Sequence, residues 1–120
     1  MQFKECYQNP FIEERADPYI TLGPDGFYYF TASYPMKSAD DKDGYDRVIL
    51  RRAKDISELA SAEEITIWKV ADTTLTHRFI WAPELHYIAG LWYVFYAGSE
   101  DKENNWAFDC HVLVCDSNDP

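Results

Sequence analysis

Apolar residues recur along this chain at every second position in short bursts, and Gly, Pro, Asp and Ser punctuate the gaps between them. A period of two marks half-buried strands rather than helices. The pattern predicts strands at 19–22, 27–33, 47–52, 65–70, 85–88, 91–98 and 107–114. Gly23-Pro24-Asp25-Gly26 reads as a tight hairpin turn, and Ala89-Gly90 plays the same part later. Only 54–62 carries a helical pattern, one or two turns opened near Asp55 and Ser57. The predicted class is all-β.

A unit then repeats. Ala16-Asp17-Pro18-Tyr19-Ile20 leads through a turn into the aromatic run 26–33, and Ala82-Pro83-Glu84-Leu85-His86 leads through a turn into the aromatic run 90–99. Each copy is an acidic residue beside a proline, a short strand, a glycine turn and an aromatic strand. The two copies lie about 60 residues apart, which suits a four-stranded propeller blade with generous loops. The polar stretches 36–44 and 98–105 read as surface loops. The second is acidic but lacks EF-hand spacing, so it predicts no calcium loop.

Composition sharpens this outline. Of the 120 residues, 47% are hydrophobic and 17% aromatic, enough for a packed core of one ordinary domain or part of one. Tyr and Trp faces suit sheet packing and also suit sugar rings. The net charge of −10 disfavours nucleic acid and anionic membrane surfaces as partners. No run of 18 apolar residues predicts a membrane span. Cys6, Cys110 and Cys115 are odd in number and show no CxxC spacing. With no apolar leader at the N-terminus, they point to reduced thiols in the cytoplasm, or to secretion if a signal has been removed.

Asp17 and Glu84 stand at the heads of the two repeated strands, and innermost strands of neighbouring propeller blades converge on the axis. Paired carboxylates there suit glycoside hydrolysis, where one activates water and another tunes or supplies the acid. On spacing alone the plainer reading prevails: Asp17 caps a turn ahead of Pro18, and Glu84 is a solvated carboxylate. Trp81 packs in a core or walls a sugar site. His86 shares a strand face with Glu84. His77 and His86 have no third ligand at metal spacing, so no metal site is expected. His111 reads as structural, and Phe27, Tyr29, Trp92 and Phe95 as core.

The segment Arg15-Ala16-Asp17-Pro18-Tyr19-Ile20 resembles the first-blade motif of family 43 glycoside hydrolases, and Ile80-Trp81-Ala82-Pro83-Glu84-Leu85-His86 resembles their second-blade motif. The stretch 45–54 is similar to members acting as exo-α-L-arabinofuranosidases. This resemblance, spanning roughly 9–120, implies a five-bladed β-propeller, with blade I at roughly 10–75 and an incomplete blade II at roughly 76–120. It implies Asp17 as general base, Glu84 as the carboxylate that orients the general acid and raises its pKa, and Trp81 as a substrate-binding wall of the sugar subsite. His86, from its place on the strand face of Glu84, is expected to bind substrate by hydrogen bonding beside that site. Family members usually hold Asp where Glu84 stands, one methylene shorter by about 1 Å.

No residue after Glu84 matches the family's general acid; Glu100 and Glu103 sit in a polar loop. The expected activity is inverting release of terminal α-L-arabinofuranosyl units from arabinan or arabinoxylan oligosaccharides. A β-xylosidase, an endo-arabinanase and a non-catalytic carbohydrate-binding fragment are the alternatives. No cofactor is expected, and the complete propeller leaves room for a structural calcium. Five blades need roughly 300 residues at about 60 per blade. About two blades alone leave bare apolar faces and edges, so the chain is expected to be part of a longer protein or to self-associate.

Overall fold

The computed structural model describes residues 1–4, 7–38, 40, 44–72, 78–100, 106–117 and 119–120. The expectations for Cys6, His77 and Glu103, and for parts of both surface loops, lie outside the described residues. Among the described residues seven strands form: β1 (Ala16–Leu22), β2 (Tyr28–Ser33), β3 (Arg47–Ala53), β4 (Ile65–Lys69), β5 (Arg78–Ile88), β6 (Leu91–Ser99) and β7 (Phe108–Cys115). They make two antiparallel sheets with neighbours in chain order, β1-β2-β3-β4 and β5-β6-β7. The edge strand β5 packs beside β1 and β2. Two meanders joined at their first strands are neighbouring blades of a β-propeller.

Local chemistry explains the turns. In the first hairpin the Gly23 and Phe27 backbones pair at 2.8 Å, and the Asp25 carboxylate accepts from the Phe27 N–H at 3.1 Å and the Tyr29 hydroxyl at 2.9 Å. A Cβ on Gly23 would stand 2.6 Å from the Tyr29 ring, so only glycine lets that ring close over the turn. Ile88 pairs with Leu91 across Ala89 and Gly90, whose φ angles of 51° and 91° make a two-residue turn of the primed type.

Two expectations change. The helix at 54–62 shrinks to one 3₁₀ turn, Ile56–Glu58, opened by a capping box in which Asp55 and Glu58 bond each other's backbone N–H groups. The Leu59 and Ala60 carbonyls, which a longer helix would use for its own bonds, instead accept from Arg51 Nη1 at 3.2 and 2.8 Å. The strand predicted at 85–88 begins seven residues earlier, at Arg78, and runs through Pro83. Proline is admitted because it falls in a bulge, where no ladder hydrogen bond is demanded of it.

The core lies in two places. Tyr29, Val48 and Leu50 of the first sheet meet Ile80, Leu85, Trp92, Val94 and Tyr96 of the second, all buried. The other face of β2 and β3 buries Phe30, Ala32 and Ile49 with Leu59, closed by Phe11 and Ile12. That second cover explains why β2 is buried on both faces. Of the expected core aromatics, Tyr29 and Trp92 are buried and Phe27 packs at the margin. Phe95 does not join them: it is half-buried on the opposite face of β6, edge-on to His86 at 5.7 Å. The two described cysteines, Cys110 and Cys115, are free thiols.

Candidate active site

Both first strands carry the same defect. In β1, Ala16 pairs with Ser33 and Tyr19 with Thr31, so Asp17 and Pro18 together oppose one residue. In β5, Trp81 pairs with Ala97 and Glu84 with Phe95, so Ala82 and Pro83 do likewise. The residue before each proline lies in the left-handed region, Asp17 at φ 51° and Ala82 at φ 46°. Such bulges turn a side chain out of the pleat and recur beside active sites. Left-handed backbone at non-glycine residues costs about 1 kcal/mol or more each.

The matching bulges correct the expected equivalence of the two carboxylates. Asp17 corresponds to Ala82, and Glu84 corresponds to Tyr19. The acids stand on opposite sides of their prolines, two register positions apart.

Each acid is nevertheless tied to the neighbouring blade. Asp17 is exposed, and its Oδ2 accepts from the Ser33 hydroxyl at 2.8 Å; the same hydroxyl accepts from the Ala82 N–H at 2.8 Å. Glu84 Oε2 lies 3.0 Å from His86 Nε2, and His86 Nδ1 lies 3.4 Å from the Tyr19 hydroxyl. A carboxylate only accepts, which assigns the neutral-ring proton to Nε2 and leaves Nδ1 to accept from Tyr19. The rings of Tyr19 and His86 also meet at 5.1 Å. The Glu84 side chain is 51% exposed and that of His86 33%, so both remain open to a ligand.

Trp81 sits in an aromatic cluster. It stacks on Phe108 at 4.3 Å and meets Tyr45, Phe79 and the exposed Trp106 at 5.7–6.0 Å. Its Nε1 is buried and has no hydrogen-bond partner among the described residues. Phe108 takes up one face of the indole, so Trp81 offers a ligand its rim more than a free plane. A shallow cavity of about 420 Å³ opens beside Glu84, between Ala82, Phe95, Ala97 and Phe108; Asp17 is not part of its lining.

The remaining candidates are structural. His111 bonds the Gly98 carbonyl at 3.3 Å, stacks on Tyr96 and lies 3.7 Å from Glu100. Among the described residues no group of three or more His, Cys, Asp or Glu side chains gathers to hold a metal, so the calcium allowed for the complete propeller has no donor set here. No described helix is long and apolar enough to cross a membrane. Sequence reasoning missed Ser33 and Tyr19. Their signal was position alone: Ser33 faces Ala16 at the mouth of the first hairpin, and Tyr19 occupies the place that Glu84 holds in the second copy.

The chain belongs to glycosyl hydrolases family 43, whose model matches residues 7–119. It is 41% identical over 114 residues to an extracellular exo-α-(1→5)-L-arabinofuranosidase of Streptomyces avermitilis, a match covering 95% of this chain and 22% of that protein. An α-L-arabinofuranosidase structure from Lactobacillus brevis matches with a TM-score of 0.75 and 40% identity, over 95% of this chain and 34% of that one. A β-xylosidase/α-arabinofuranosidase from a compost metagenome, solved with xylotriose in a calcium-free form, matches in fold, with a TM-score of 0.69 and 22% identity. The chain thus spans about a fifth of the curated relative and a third of the solved ones, and it represents about two blades of the five-bladed propeller. The relative's extracellular location gives the cytoplasmic expectation no support.

Proposed function

We propose that this chain forms the first two blades of an inverting α-L-arabinofuranosidase that removes terminal arabinofuranosyl units from plant-wall oligosaccharides. Blade I spans roughly 10–75 and blade II roughly 76–120. Asp17 is the general base: it takes a proton from a water that attacks the anomeric carbon opposite the leaving group. Glu84 orients the general acid, which lies outside this chain, and keeps it protonated by like-charge repulsion. Trp81 and His86 border the bound sugar. The complete protein is secreted, as its relative's name says of that enzyme, and acts on neutral oligosaccharides.

One observation carries the reading. The two exposed carboxylates on the adjoining inner strands are each held by a hydrogen-bond relay that crosses between blades, Asp17 through Ser33 and Glu84 through His86. Merely solvated acids have no need of such support, whereas a catalytic carboxylate must be fixed in direction. Inversion requires base and acid carboxylates roughly 6.5–9.5 Å apart, with the water between them.

In the intact protein, Asp17→Ala should lower turnover of nitrophenyl α-L-arabinofuranoside by about 10³-fold or more, with the protein still folded and the thermal midpoint lowered by only a few degrees, the cost of an alanine at φ 51°. Azide should restore part of the rate by taking the place of water. Near-normal turnover without azide would refute the assignment.

A further inference from the structure

Ser33 ends β2, and its side chain is fully buried. Its hydroxyl touches two groups whose chemistry leaves it no choice of polarity. The Ala82 N–H can only donate, so Ser33 Oγ must accept there. The hydroxyl has one proton, and it goes to Asp17 Oδ2. That N–H is free for Ser33 because the β5 bulge withdraws Ala82 from the ladder between Trp81 and Glu84.

We propose that Ser33 is the positioning residue of the catalytic base: it clamps Asp17 Oδ2 against blade II and leaves Oδ1 as the oxygen that takes the proton from water. This rests on Asp17 being the base. An exposed Asp rotates about two side-chain bonds. Ser33 removes that freedom. Asp17 Oδ1 has no hydrogen-bond partner among the described residues, so it is the available oxygen. Because the other end of the relay is the Ala82 backbone, the base is also held in register with the strand that carries Glu84. The hydroxyl therefore transmits the docking of two blades to the direction of one carboxylate.

The rival account is that the hydroxyl only satisfies a buried N–H. Four variants of the intact protein separate the two: Ser33→Ala, Ser33→Thr, Asp17→Ala and the Asp17→Ala, Ser33→Ala pair. Ser33→Ala should lower kcat about 10- to 100-fold with KM within about twofold, the size expected when a reacting group is misplaced by an ångström. Ser33→Thr, which keeps the hydroxyl, should restore kcat to within a few-fold of the parent. In the Asp17→Ala background, Ser33→Ala should leave the azide-restored rate unchanged, because there is no carboxylate left to position.

A folded Ser33→Ala with parental kcat, beside an inactive Asp17→Ala, would overturn the positioning role while sparing the base. So would an equal loss of azide-restored rate from Ser33→Ala, which would mark an effect on the fold. If Ser33→Ala fails to fold, a folded Ser33→Thr without the parent's kcat overturns the proposal, and one that keeps it supports the hydroxyl's role. Full activity in Asp17→Ala would bring down both readings.

Discussion

Glu64 holds the approach to the site at the scale of single residues. Its carboxylate receives the guanidinium groups of Arg15, two residues before Asp17, and Arg51, at 3.1 Å from each Nε, with all three side chains largely buried. Arg15 lies over the Tyr34 ring at 4.4 Å, next to Ser33 in sequence. Burial by itself raises the Glu64 carboxyl, but the hydrogen bonds and charges of the two arginines outweigh it and hold it below its ordinary value of 4.5. A lowered folded-state pKa stabilises the protein above the unfolded value and is lost as pH falls through the folded one. Glu64→Gln should therefore destabilise by about 1–2 kcal/mol at neutral pH. Urea unfolding from pH 7 to pH 3 should show the gap between variant and parent closing below about pH 4.5.

Strands and their turns explain why one chain makes such similar units twice. Alternating apolar residues and turn glycines specify the hairpins, and the proline in each first strand falls where the ladder opens. The β5–β6 turn is less well adapted. Its first residue, Ala89, sits at φ 51°, a region that costs an alanine about 1 kcal/mol. Asn-Gly is the sequence this turn type prefers. Ala89→Asn should raise stability by about 0.5–1 kcal/mol and the melting temperature by a few degrees, with kcat unchanged. A lower melting temperature would contradict the assigned turn. The strands were readable because period two survives in them. The front of β5 was not, since Pro83 looks like a breaker until the bulge is seen.

Across the whole molecule, two sheets share one core but leave other faces bare. Leu91, Val112 and Val114 on the outer side of blade II, and Ile20 and Leu22 on β1, are all more than a third exposed. Patches of this kind close against further blades in a complete propeller, and the relatives are three to five times longer than the matched segment. The isolated 120-residue chain should accordingly self-associate despite its net charge of −10. Sedimentation should show species heavier than 14.0 kDa that grow with concentration; a stable monomer of that mass would contradict this view.

Alternation, turn residues and two acid–proline motifs were enough to determine the all-β class, the blade repeat and the family, because each is a local property of neighbouring residues. Asp17 and Glu84 could be singled out for the same reason. What they touch could not, since Ser33 meets Ala82 and Tyr19 meets His86 only when two sheets dock. The offset between the acids was equally hidden: a bulge counts residues against a partner strand, and a linear sequence has no partner strand. Tertiary structure alone decided that each carboxylate is steadied by the other blade.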